Sequence, residues 1–195
     1  MNRSRRFGSR RGVAALEFAF VAPMLVLLLL GGVDVMIWFQ NKFRLDNAAG
    51  ALGNMVAQAE TLSLSAFPAA FCSNSAAALN YFAVASQLTD PLVVCGTAGA
   101  TIVSGIQNDG TTTKVIWQER TGDAGYPSLF GTPGNAASLP KGYTVPNGHS
   151  IITTELYSGV TPWKYSLAIM GTPGPSYLYA YSVFEPRSGK LVTPQ

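Results

Sequence analysis

Residues 13–39 form the stretch that decides the fold, and they read VAALEFAFVAPMLVLLLLGGVDVMIWF. The longest uncharged part, residues 18–33, would extend about 24 Å as an α-helix. A hydrocarbon core of roughly 30 Å needs about 20 residues, so the span has to continue past Asp34 and place Trp38 at an interface. We therefore predict a transmembrane helix over residues 13–39, kinked but not ended by Pro23.

Charge on the two sides of this helix predicts its orientation. Five arginines lie in residues 1–12, whereas only Lys42 and Arg44 follow the helix closely. The positive-inside tendency then keeps this basic leader in the cytoplasm and exports the residues after Phe39. The arginine pairs of the leader also allow a twin-arginine export signal, but no small-residue cleavage site follows the apolar stretch.

The composition limits the chain to one exported domain and argues against a nucleic-acid partner. The 195 residues carry a net charge of +3, yet the part after Gly12 has eight basic residues against ten acidic ones. A nucleic-acid-binding domain concentrates positive charge on a folded surface, whereas here it is concentrated in the leader. About 150 residues remain beyond the span, enough to bury a core.

The remainder of the chain predicts an α+β protein, in which a long N-terminal transmembrane and stalk helix precedes a small globular domain. Apolar residues at three- and four-residue steps continue the helix as a stalk over residues 40–60. The globular domain, residues 61–195, should begin with a second helix from Pro68 to about Gln87, ended by Asp90-Pro91.

Short antiparallel strands are expected from residue 92 onward, where runs of β-branched and aromatic residues are interrupted by Gly and Pro. Asn108-Asp109-Gly110 predicts a hairpin between residues 101–106 and 112–119. Further strands are predicted at residues 149–157 and 176–184. Residues 121–148, rich in Gly, Pro, Ser and Asn, predict a long surface loop that offers a contact surface.

Both cysteines, Cys72 and Cys95, fall in the exported part, where an oxidising compartment permits a disulfide. We predict that they pair, which would stabilise the domain by about 3 kcal/mol on the chain-entropy model. Two buried free thiols are the alternative.

The residues around the start of the span carry a family resemblance. Arg10-Arg11-Gly12 followed by Glu17-Phe18 and a long apolar helix resembles the class III signal of type IV pilin-like proteins. With Pro23 and Asp34 added, residues 10–56 resemble the TadE/TadF-type minor pseudopilins of tight-adherence (Flp) pili. Residues 151–163 are similar to a strand-then-proline segment near the end of that family.

This resemblance implies a processing and assembly mechanism. A prepilin peptidase would cut after Gly12 and free the amine of Val13, placing Glu17 and Phe18 at the fifth and sixth mature positions. The new ammonium can pair with the carboxylate of Glu17, in the same subunit or a neighbour, which offsets the cost of placing both charges in lipid. The implied partners are the membrane, other pilins or pseudopilins, the prepilin peptidase and the pilus assembly platform.

The resemblance further implies a single-pass protein of the bacterial inner membrane, with its C-terminal domain in the periplasm or on an extracellular pilus. Its function would be to assemble, initiate or decorate the pilus. An uncleaved, membrane-anchored periplasmic scaffold or adhesin is the alternative, in which Glu17 is an ordinary acid at the cytoplasmic interface. Asp34 is expected either to pair with the helix of a partner subunit or to lie at the opposite interface.

The chain lacks the patterns of an enzyme. His149 is its only histidine, so neither a zinc site nor a histidine-based triad is predicted, and no cofactor is expected. Tyr177, Tyr179 and Tyr181 alternate along one predicted strand and should share a face. Packing in the core or hairpin is favoured for them over a sugar-binding or surface-binding face.

Overall fold

The computed structural model describes residues 9–67, 80–140, 142–161, 163–165, 176–189, 191 and 193–194. These residues fall into two compact units. The first contains the helix up to Phe39 together with Thr161 and residues 163–165, and the second contains residues from Gln40 to Val160 and from Ser176 onward. The elements form an α+β fold, which confirms the predicted class.

A single long helix, α1, runs from Ser9 to Gln58 and continues through Pro23. Its part in the first unit presents apolar side chains on nearly every face. Its part in the second unit is amphipathic, and one stripe is buried: Leu45, Ala48, Ala49, Leu52 and Val56. This spacing of three and four residues places all five side chains on the same face of the helix.

Four antiparallel strands form one sheet in the order β2-β1-β3-β4. Their bounds are Gly99–Asn108 for β1, Thr113–Gly122 for β2, Ser150–Val160 for β3 and Ser176–Phe184 for β4. The central strands β1 and β3 are buried along almost their whole length. Both faces of the sheet are therefore covered in the middle.

The inner face of the sheet packs against the buried stripe of α1. That stripe shares one hydrophobic cluster with sheet residues Val103, Trp117, Ile152, Leu156, Leu178 and Ala180. Gly53 lies against β4, since a Cβ there would overlap Ser182 Oγ and lie 2.8 Å from the Phe184 ring. The segment predicted as a stalk thus supplies one wall of the core.

A second, shorter helix, α2, spans Tyr81–Thr89 and joins the same cluster through Phe82 and Ala85. Asn80 caps it, because its side-chain oxygen accepts hydrogen bonds from the N–H groups of Phe82 and Ala83 at 2.9 and 3.3 Å. The helix ends just before Asp90-Pro91, two residues later than predicted. The prediction of one continuous helix from Pro68 is wrong, because Asn80 is extended and α2 begins only at Tyr81. Residues 68–79 lie outside the described residues.

The predicted hairpin is present, with a connection of four residues between β1 and β2. Asp109 organises this turn, since its Oδ1 accepts hydrogen bonds from the N–H groups of Thr111 and Thr112 at 2.9 and 2.8 Å. The Thr111 hydroxyl also donates to this oxygen, and its hydrogen bond together with the two backbone bonds holds the pKa of the Asp109 carboxyl well below its usual range. Gly110 adopts a φ of +94°, a conformation that glycine reaches without strain.

The outer face of the sheet is covered by the long connection between β2 and β3. Its described residues form neither helix nor strand, as predicted, apart from one bridge that pairs Ala136 with Lys114 of β2. Its Phe130 and Val145 are nevertheless buried against Ile106, Val115 and Ile151. The connection therefore forms a second hydrophobic layer.

Candidate functional site

The first unit presents an exposed apolar helix surface, as expected of a segment that lies in a membrane or a helical bundle. Within the described part of the chain, α1 is the one helix long and apolar enough to cross a membrane, and none of its most apolar window is buried. Val13, Leu16 and Phe18 are all exposed. Exposed apolar side chains of this density in a folded protein indicate contact with lipid or with other helices.

Glu17 projects from this apolar surface. Its side chain is exposed, and no described residue forms a hydrogen bond or ion pair with it. Gly12 and Val13 lie in the first turns of the same helix, which begins at Ser9. Because residues four apart are neighbours on a helix, Glu17 lies on the same face as Val13.

Asp34, the second acid of the span, is in a different environment. It is only 6% exposed, and its two carboxylate oxygens accept hydrogen bonds from the backbone N–H of Tyr165 at 3.0 and 3.2 Å. Both residues belong to the first unit. The turn that follows β3 is therefore held against the end of the apolar helix by Asp34.

The second unit contains a buried acid that the sequence analysis did not single out as a site. Glu155 lies in the middle of β3 on the outer face of the sheet and is fully buried. Its Oε1 accepts hydrogen bonds from the N–H of Leu129 at 2.8 Å and from the hydroxyl of Tyr179 at 2.9 Å, and its Oε2 accepts one from the hydroxyl of Ser128.

Burial raises the pKa of Glu155, while its three hydrogen bonds and the charge of Arg120 oppose that shift. Burial and the neighbouring carboxylate also raise the pKa values of Tyr157 and Tyr179. The Tyr157 hydroxyl donates a hydrogen bond to the carbonyl of Pro127 at 2.8 Å. This cluster joins the β2–β3 connection to the sheet, which is a structural task.

One signal in the sequence could have revealed this acid. Glu155 shares one face of its strand with Ile151, Thr153 and Tyr157, and it is the charged residue among these apolar or uncharged neighbours. A lone carboxylate in such a strand has to find hydrogen-bond donors when it is buried. Two of the donors, Ser128 and Leu129, come from the β2–β3 connection, and the third, Tyr179, comes from β4. No local sequence pattern identifies donors this far away along the chain.

Comparison with known proteins finds a family match within α1. Residues 12–51 match the family model described as TadE-like protein. This is the family that the residues from Gly12 to Asp34 resemble, and the prediction is confirmed over that segment. No curated protein and no solved structure matches the chain.

The TadE-like match connects the chain with tight-adherence pili, whose TadE-like components are structural rather than enzymatic. The matched segment contains the exposed apolar helix and part of the stripe that packs on the sheet. Together, the helix and the match fit a protein that crosses the membrane once and is associated with pilin-like partners.

Outside the TadE-like segment, the predicted disulfide stays a prediction. Cys95 is buried at the end of the segment that precedes β1. Cys72 lies outside the described residues.

The single histidine of the chain contacts a glutamate at the surface. His149 Nδ1 is 2.7 Å from Glu185 Oε1, and both side chains are exposed. Among the residues that the structure describes, no group of three His, Cys, Asp or Glu side chains is arranged to hold a metal ion.

The three tyrosines of β4 share the outer face with Tyr157. Tyr179 packs against Tyr157 with ring centroids 4.7 Å apart, whereas Tyr177 and Tyr181 remain about half exposed. Ring stacking along the strand continues from Tyr179 to Tyr181 at 5.9 Å. Packing is thus the main role of Tyr179, as predicted.

Proposed function

We propose that this chain is a minor pilin-like subunit, or pseudopilin, that assembles, initiates or decorates a tight-adherence pilus. The observation that carries the proposal is the TadE-like match, which begins at Gly12, the residue after which a prepilin peptidase would cut. The exposed apolar surface of α1 supports it, because a helix with this surface can join a helical bundle of pilins within or above the membrane.

Glu17 has the role of an assembly residue in this proposal. Its exposed carboxylate has no partner among the described residues and lies on the same helix face as Val13. After a cut behind Gly12, the Val13 ammonium of the same or a neighbouring subunit neutralises it. Helix docking and charge neutralisation then occur together, because each charge is costly in lipid alone.

The second unit is proposed to be the periplasmic head, with the N-terminus in the cytoplasm. A four-stranded sheet with two hydrophobic layers is bulky beside a single helix. Such a head hinders close repetition along a thin fibre. This favours a role at the tip, at initiation or as an occasional component rather than as the main subunit.

The test compares the wild-type chain with Glu17→Ala and Glu17→Gln in cells with an active prepilin peptidase. Mass spectrometry of the membrane-extracted proteins should find Val13 as the first residue in all three. Pili counted by electron microscopy should be reduced with both variants, because neither can neutralise the Val13 ammonium.

A first residue at Met1 in the wild-type chain would remove the processing claim. Normal piliation with Glu17→Ala would remove the pairing role. Full function after replacement of residues 13–39 by an unrelated span would favour the uncleaved scaffold or adhesin instead.

A further inference from the structure

The turn that Asp34 fastens carries aromatic side chains into the first unit. Its residues Trp163, Lys164 and Tyr165 are all exposed, with Trp163 at 48% and Tyr165 at 45%. Trp38, one helical turn beyond Asp34, is 42% exposed. Residues 131 positions apart in sequence are thus held together by the hydrogen bonds between Asp34 and Tyr165.

The two tryptophans border one apolar groove. Trp38 and Trp163 line a cavity of about 280 Å³ together with Asp34, Val35 and Phe39. The Trp38 and Phe39 rings form a T-shaped pair, with centroids 5.2 Å apart. Half-exposed indole rings beside an apolar groove present both a hydrophobic surface and an N–H donor.

The position along α1 indicates what this surface contacts. The uncharged apolar part of the span ends just before Asp34, and Trp38 lies about 6 Å further along the axis. This is where the hydrocarbon core gives way to headgroups, the depth at which Trp and Tyr are enriched. The exposed Lys164 can reach lipid phosphates from the same depth.

The hydrogen bonds at Asp34 make this placement possible. Non-helical backbone is costly near hydrocarbon unless its polar groups are satisfied within the protein. The N–H of Tyr165 donates a hydrogen bond to Asp34, and the turn shields the Asp34 carboxylate from lipid. Each group compensates the other at the edge of the bilayer.

We propose that Trp163, Lys164 and Tyr165, together with Trp38, form a membrane-interface anchor that binds phospholipid at headgroup depth. The surface is continuous with the apolar helix, so the lipid around the span covers both. This inference depends on α1 crossing the membrane and is independent of pilus assembly or processing at Gly12.

The test uses the full chain reconstituted in phosphatidylethanolamine and phosphatidylglycerol vesicles that contain phosphatidylcholine brominated either near the headgroup or near the chain end. Tryptophan quenching is compared for the wild type, Trp163→Phe and Trp38→Phe. The difference between wild type and each variant isolates one indole, while Trp117, buried in the second unit, contributes equally to all three.

We expect the emission of Trp163 to be blue-shifted and quenched more by the shallow bromines than by the deep ones. An indole that is quenched by aqueous acrylamide and by neither lipid would overturn the proposal, because it would lie in water. An indole shielded from acrylamide and from both lipids would also overturn it, because protein would then cover the site.

A second pair of variants tests the fastening. Asp34→Asn keeps an oxygen that can accept the Tyr165 N–H, whereas Asp34→Ala does not. Shallow quenching of Trp163 should persist in Asp34→Asn and decrease in Asp34→Ala, while quenching of Trp38 should persist in both. Equal quenching of Trp163 in both variants would show that Asp34 does not position the turn.

Discussion

At the scale of single residues, Glu155 illustrates how a buried charge can be held by distant donors. The carboxylate is fully buried and accepts three hydrogen bonds, from the hydroxyls of Ser128 and Tyr179 and from the backbone N–H of Leu129. Burial still dominates, so its pKa is raised in the folded chain. The folded chain then binds more protons than the unfolded chain at pH values between the two pKa values.

This difference predicts a pH dependence of stability. The free energy of unfolding should fall as pH rises from the unfolded pKa of about 4.3 through the folded pKa of Glu155. Glu155→Gln should flatten this dependence, because the amide does not titrate. The packing should be kept, since the amide oxygen can accept from Leu129 and Tyr179 while the NH₂ group donates to Ser128. Urea unfolding of the full chain in detergent micelles, followed through the buried Trp117, measures the effect.

Glu155→Ala is the matched variant, since it leaves three donors without their acceptor. It should lower the free energy of unfolding by about 1–3 kcal/mol or more at every pH. If Glu155→Gln kept the full pH dependence of the wild type, another group would be responsible for it.

At the scale of elements, the contact between α1 and the sheet depends on small residues. The pattern from residue 40 onward predicted a helix with an apolar stripe, but not the surface that the stripe covers. Ser182 Oγ donates a hydrogen bond to the carbonyl of Ala49 at 2.7 Å, and Gly53 leaves room for Ser182 and Phe184. A β-strand approaches this closely only where the helix lacks a side chain.

Two glycines on α1 allow a controlled test of this packing. Gly53→Ala should lower the free energy of unfolding by about 1–3 kcal/mol through overpacking, less the gain in helix propensity. Gly50→Ala has open space around its added Cβ and should raise it by about 0.5–1 kcal/mol. Urea unfolding in micelles compares them, and equal effects of the two substitutions would contradict the close contact at Gly53.

At the scale of the whole molecule, the predicted disulfide would close a loop that contains α2 and its cap Asn80. Such a crosslink lowers the conformational entropy of the unfolded chain and should stabilise the protein by about 3 kcal/mol. Alkylation of the denatured protein followed by mass spectrometry should label neither Cys72 nor Cys95 before reduction and both after it. Labelling of both without reduction would establish two thiols instead.

Local patterns made much of the architecture predictable. Strand β4 has the predicted bounds, the hairpin lies at Asn108-Asp109-Gly110, and α2 ends just before Asp90-Pro91. These features follow from alternation, turn chemistry and proline, each of which acts within a few residues. The predicted surface loop between β2 and β3 was correct in its backbone, but its burial of Phe130 and Val145 depends on the sheet beneath it.

The amino-acid sequence by itself determined the apolar helix, the TadE-like signature from Gly12 to Asp34 and the α+β order of elements, because composition and periodicity encode them locally. Only the tertiary structure decided that the amphipathic part of α1 is a wall of the core, that Glu155 meets Ser128 and Tyr179, and that Asp34 holds Tyr165. Each of these contacts joins residues far apart in the chain. The strand register and the closure of long loops bring them together, and neither is written in any short stretch of sequence.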